Sequence, residues 1–211
     1  MLANAADGAI FNEPEFAPTP PNLRRVNDIA FSGDGEPTTC PVFAESVALV
    51  AELTQAHGLS HIKIVLITDA CYLTRPEVKK GLELMDTARG EIWAKLDAGT
   101  EEYFRLINKP NYPLAHVIDN IIDAARRRPV VIQSLFMRVH GTGPDPAEID
   151  AYVGRLNEIT RAGGNISLVQ VYTVARRPAQ NFVTALSTEE LNAIADTVRR
   201  SSRLCVEAFH G

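Results

Sequence analysis

Asp28-Ile29-Ala30-Phe31-Ser32-Gly33-Asp34-Gly35-Glu36-Pro37-Thr38 decides the fold: a short apolar run breaks off at a Gly-Asp-Gly-Glu-Pro turn, and a helical pattern follows. Two glycines let backbone approach a ligand closely, and a carboxylate beside them grips a cationic group. The same residues also make an ordinary strand-to-helix connection, since glycine, aspartate and proline are turn formers. On their own they leave both readings open.

Outward from this stretch the chain becomes rhythmic. The first strand is predicted over 27–32, followed by a helix over 44–56 whose Val47, Leu49, Val50 and Leu53 recur at helical spacing, stopped by Gly58. Residues 63–68 (KIVLIT) are almost wholly apolar, as parallel strands buried on both faces are. A helix is expected after Pro76, a strand over 92–97, helices over 101–107 and 114–127, and a strand over 130–137 once Pro129 resets the chain. A helix after Pro146 ends near Gly163-Gly164, and residues 166–173 form the next strand. Ser187-Thr188-Glu189-Glu190 reads as a capping box, and 204–207 supply a sixth strand.

Strand and helix alternate with a repeat of roughly 30 to 35 residues, a crossover length that implies parallel strands joined right-handedly. The class is α/β. A doubly wound open sheet and a curved β/α barrel both have this rhythm. The barrel gains weight because polar residues recur at strand C-terminal ends: Glu36, Thr68 and Asp69, Lys95 and Asp97, Gln133 and Arg138, Gln170 and Tyr172. Barrel sites are assembled there from several strands at once. Residues 1–26, with Pro14, Pro18, Pro20 and Pro21, read as an irregular lead-in with a short helical piece at its start, and 27–211 as one β/α unit.

Composition narrows the partners. The chain has 211 residues with 45% hydrophobic content, enough for a substantial core. Its formal net charge of −5 provides no global field for nucleic acid, and Arg126-Arg127-Arg128 and Arg176-Arg177 read as solvated helix ends or local patches. Without a long apolar run or a signal-type opening, the expectation is a cytoplasmic protein with no membrane partner. Cys40, Cys71 and Cys205 are too sparse for a disulfide framework or a C-x-x-C motif, and each is expected to be a small buried residue. The five histidines are scattered and expected on surfaces or loops.

Lys95 and Asp97 stand two apart, so on a strand they face the same way, either as an ion pair filling the interior or as ligand contacts. Gln133 and Gln170 pose the same choice, because an amide in an apolar run is satisfied by its neighbours or aimed at a ligand.

The words Ser32-Gly33-Asp34-Gly35-Glu36-Pro37-Thr38, Ile67-Thr68-Asp69-Ala70, Lys95-Leu96-Asp97-Ala98 and Val169-Gln170-Val171-Tyr172-Thr173 together resemble the radical S-adenosylmethionine superfamily, near the branch of wyosine-type tRNA-modifying enzymes. The resemblance covers about residues 27–207 and implies a partial (β/α)6 TIM-like barrel that binds S-adenosylmethionine. Asp34, Gly35, Glu36 and Pro37 match the family's Gly-Gly-Glu-Pro motif, with aspartate in place of its first glycine. By the same resemblance Gly33, Thr68, Asp69, Lys95, Asp97, Gln133 and Gln170 complete the ligand's surroundings, with Val169 and Val171 flanking an adenine. A complete family enzyme uses a [4Fe-4S] cluster to cleave the sulfonium reductively and abstract hydrogen from its substrate.

The resemblance fails at one place. The C-x-x-x-C-x-x-C loop that holds the cluster is absent from the sequence, and Met1-Leu2-Ala3-Asn4-Ala5 reads as helix interior. The expectation is therefore an N-terminally truncated or degenerate form, lacking the first strand and inactive by itself, with its RNA or protein substrate and its oligomeric state open. Two alternatives stand beside it. One is a non-catalytic ligand-binding or scaffold remnant; the other is an unrelated β/α-barrel enzyme using Glu36, Asp69, Lys95 and Asp97.

Overall fold

The computed structural model describes residues 2–33 and 35–210. It is α/β, with six parallel strands and, among the described residues, seven helices, consistent with a partial TIM-like barrel. The chain divides into two compact units, one running to Ile67 and including Arg75–Glu91, the other made of Thr68–Thr74 and the chain from Ile92 onward. Among the described residues no helix is long and apolar enough to cross a membrane.

The first unit opens with α1 (Leu2–Ala6) and two single turns of 3₁₀ helix, Ala9–Asn12 and Pro21–Leu23. Strand β1 (Asp28–Phe31) pairs in parallel with β2 (Lys63–Thr68), Ile29 opposite Ile64 and Phe31 opposite Leu66. Helices α2 (Phe43–Ala56) and α3 (Pro76–Thr87) pack on each other. Their closest approach is set by Gly81, where a Cβ would stand 2.5 Å from the Phe43 ring. Phe43 in turn meets Phe31 edge to face at 5.8 Å. Ile64, Val65 and Leu66 are all buried, as the unbroken apolar run requires.

The second unit contains β3 (Gly90–Lys95) from Ile92 onward, α4 (Glu101–Asn108), α5 (Leu114–Arg127), β4 (Val130–Leu135), β5 (Met137–Val139), α6 (Pro146–Arg161), β6 (Ile166–Tyr172), β7 (Val183–Ala185), α7 (Thr188–Ser202) and β8 (Val206–Phe209). Strands β3, β4, β6 and β8 pair in parallel in that order. The expected strand over 130–137 is two strands: the chain breaks at Phe136, and β5 leaves to pair antiparallel with β7. This small sheet joins segments more than forty residues apart and has too few residues to show a period.

A register shift between Val130 and Val131 decides which side chains share a face. Val130 lies opposite Ile166, but Val131 lies opposite Leu168, so Ser167 is an extra residue on β6. Its hydroxyl donates to the Val130 carbonyl at 3.1 Å. In an unshifted register Val169 would stand opposite Gln133. With the shift, Ile132 meets Val169 and Gln133 meets Gln170. The apolar row Ala94, Ile132, Val169 is wholly buried. Val169 and Val171 are thus core residues on the face opposite Gln170, which corrects the expectation that they flank a ligand ring.

The loop after β3 is fixed by buried polar contacts. Glu148 on α6 is buried, and its carboxylate accepts from the Gly99 amide at 2.5 Å and from the Thr100 hydroxyl at 2.6 Å. Ser134 donates to the Leu96 carbonyl at 2.6 Å, which leaves the fully buried Tyr152 hydroxyl to donate to Ser134, also at 2.6 Å. Gly99 lies so near α6 that a Cβ would stand 2.0 Å from the Tyr152 amide nitrogen.

Candidate functional site

In the second unit the register places Lys95, Gln133, Gln170 and Glu207 side by side across four strands. The Gln133 amide donates to the Gln170 side-chain oxygen at 3.2 Å. One residue pair further along, Tyr172 accepts a hydrogen bond of 3.0 Å from the Lys95 ammonium. Lys95, Gln133 and Tyr172 are half-buried, while the alternate residues of the same strands form the core. A row of amides and an ammonium on the face opposite the core, at the C-terminal half of parallel strands, is a polar floor.

Asp97 organises one end of this floor. Its Oδ1 accepts from the Leu135 backbone amide at 2.8 Å, its Oδ2 accepts from the Asn108 amide at 3.0 Å, and Lys95 lies 3.7 Å away. The Asp97 side chain is 5% exposed and that of Lys95 31%. The geometry thus shows the ion pair, and Asp97 acts by holding its neighbours. Its carboxylate pushes the lysine well above the ordinary range, which outweighs the desolvation acting in the other direction. Burial, and then Asp97, push the Tyr172 phenol up. Lys95 stays an ammonium and Tyr172 stays protonated across the physiological range.

A cavity of about 200 Å³ adjoins Lys95. Its walls are Asp69, Cys71 and Tyr72 from the turn after β2, Phe104 and Asn108 from α4, and the segment Lys109 to Tyr112. Lys109 takes a positive φ of 46°, ending α4 abruptly. Tyr112 meets Tyr72 edge to face at 5.6 Å and stacks on His116 at 4.7 Å. His116 is half-buried on α5, with Nε2 donating to the Cys71 carbonyl at 2.9 Å. This corrects its expected place on a surface or loop.

Several sequence-chosen residues serve local structure. Thr68 is buried and its hydroxyl accepts from the Ala70 amide at 3.0 Å, while Asp69 Oδ1 accepts from the Cys71 amide at 2.8 Å. In the first unit, Glu36 caps the 3₁₀ turn Pro37–Thr39, accepting from the Thr38 amide at 3.1 Å and its hydroxyl at 2.5 Å. Gly33 has φ 140°, a conformation that side chains rarely adopt. Gly35, Glu36 and Pro37 line a separate cavity of about 340 Å³ with Phe31, Cys40 and Phe43. Asp34 lies outside the described residues.

The residues do not fit an iron–sulfur cluster. Among the described residues no group of three or more His, Cys, Asp or Glu is placed to hold a metal ion. Cys40 and Cys205 are exposed and Cys71 is half-buried, which overturns the expectation of three buried thiols. Cys40 ends a 3₁₀ turn and Cys205 precedes β8, so neither occupies an inward position on a strand or helix. Asn120, His116, Tyr72 and Tyr112 carry no motif in the sequence. Only the fold brings Tyr72 and Tyr112 to the cavity and sets Asn120 and His116 against the turn that walls it.

No family model matches the chain, and none of the curated proteins matches it. Among solved structures, the crystal structure of archaeal TYW1 is similar over 96% of this chain and 60% of that one, with a TM-score of 0.49 and 15% identity. The chain thus spans less than two thirds of that protein's length.

Proposed function

We propose that this chain is a ligand-binding β/α module of the radical S-adenosylmethionine type, and that it receives the sulfonium nucleoside on the polar floor of the second unit, with one end at the cavity beside Lys95. The carrying observation is the in-register row Lys95, Gln133, Gln170, set on the face opposite the core by the extra residue Ser167. The strand-end words that resemble the family supply the ligand's identity. Carboxamides donate to and accept from ribose hydroxyls, and a permanently charged ammonium beside a protonated phenol suits a carboxylate.

Reductive cleavage in the family needs the cluster, and no step of it is assigned to these residues. The reading as an unrelated acid–base enzyme is disfavoured by the same geometry. Lys95 is held protonated and makes a poor base, and Asp97 is committed to Leu135, Asn108 and Lys95.

Titration calorimetry of the purified chain with S-adenosylmethionine tests the proposal. Gln133→Leu is expected to weaken binding about tenfold, corresponding to the loss of roughly one hydrogen bond, or about 1.4 kcal/mol. Absence of heat with the unsubstituted chain, or an unchanged affinity in Gln133→Leu, would count against it.

A further inference from the structure

We infer that Asn120 is a positioning residue for the cavity, an inference that rests on the proposed ligand site and adds to it the element that shapes its wall. Asn120 is 3% exposed on α5, and its carboxamide is spent wholly on the turn after β2. Nδ2 donates to two consecutive carbonyls, Ala70 and Cys71, each at 2.9 Å. Oδ1 accepts from the Thr74 hydroxyl at 2.9 Å. One side chain therefore grips the turn near both of its ends, and His116, one helical turn earlier, adds a second donor to the Cys71 carbonyl.

The turn needs such a clamp. Ala70 takes a positive φ of 63° while fully buried, a conformation that a residue with a Cβ keeps only when its surroundings impose it. The three cavity residues Asp69, Cys71 and Tyr72 ride on this backbone. Both amide hydrogens are required to hold two carbonyls, so an isosteric carboxylate cannot replace the carboxamide. Asn120 sets where the wall stands without lining the cavity itself.

The test combines backbone hydrogen exchange with S-adenosylmethionine calorimetry on the full chain. Asn120→Asp is expected to accelerate exchange of the Ala70 and Cys71 amides at least tenfold, to leave Ile132 and Val169 unchanged, and to weaken binding about tenfold. Thr74→Val removes only the hydroxyl that orients the carboxamide and is expected to give a smaller acceleration at the same amides; it serves if Asn120→Asp does not fold. Unchanged exchange at Ala70 and Cys71 in the folded variant overturns the inference. Accelerated exchange with unchanged affinity overturns the link between turn and ligand. Absence of binding by the unsubstituted chain sinks the ligand reading itself, and the exchange measurement separates that failure from the first.

Discussion

Converting Asp97 to alanine removes the partner of three groups at once: the Leu135 amide, the Asn108 amide and the Lys95 ammonium. The Leu135 N–H belongs to a half-buried strand end, and leaving such a donor unpaired costs about 1–3 kcal/mol. Lys95, only 31% exposed, also loses the charge that offsets its partial desolvation. Breaking a buried pair from one side costs about 3–5 kcal/mol, and that is the expected loss for Asp97→Ala. Asp97→Asn keeps an acceptor for Leu135 and forfeits only charge-assisted bonding, so about 1.5–3 kcal/mol is expected.

Urea unfolding at constant m measures both variants. The pH dependence carries a definite sign. The folded lysine titrates above its unfolded value of about 10.4, so its share of the stability is complete below that pH and is lost as pH rises toward the folded value. The gap between native and Asp97→Asn proteins should be constant from pH 6 to 9 and narrow above about pH 10.4. A loss under about 1 kcal/mol for Asp97→Ala, or a gap that ignores alkaline pH, would refute the organising role given to this carboxylate.

Gly99→Ala places a methyl 2.0 Å from the Tyr152 nitrogen and 2.4 Å from the Ala151 carbonyl carbon, both backbone atoms of α6 that cannot rotate away. A loss of at least about 3 kcal/mol in urea is expected, and a near-native midpoint would show that the loop is free to shift. Ser187→Ala breaks the capping box in which Ser187 accepts from the Glu190 amide at 3.2 Å and Glu190 accepts from the Ser187 amide at 2.8 Å. About 1 kcal/mol and a melting shift of about 2–4 °C are expected by calorimetric scanning.

Sequence reading succeeded where local periodicity governs. The strand over 63–68 and the helix over 114–127 have those bounds in the structure, because an apolar run and an amphipathic stripe closed by Pro129 are local signals. The pairing of Lys95 with Asp97 was legible from their spacing, but Asp97's bond to Leu135 joins residues 38 apart and was not. The face occupied by Val169 was misjudged because a single extra serine inverts every side chain after it, and nothing in the run ISLVQVY marks where the inversion falls. Asn120 looked like any polar residue on a helix. Its role depends on a turn fifty positions earlier in the chain.

The alternation on β4 and β6 separates two kinds of evolutionary freedom. Ile132, Val169 and Val171 are locked by burial in the apolar core, whereas positions 133 and 172 project half-buried from the opposite face of the same strands. A combinatorial library over residues 132, 133, 169, 171 and 172 would spare foldability at codons 133 and 172 alone, and sequencing its survivors would reveal tolerance that oscillates with every second residue.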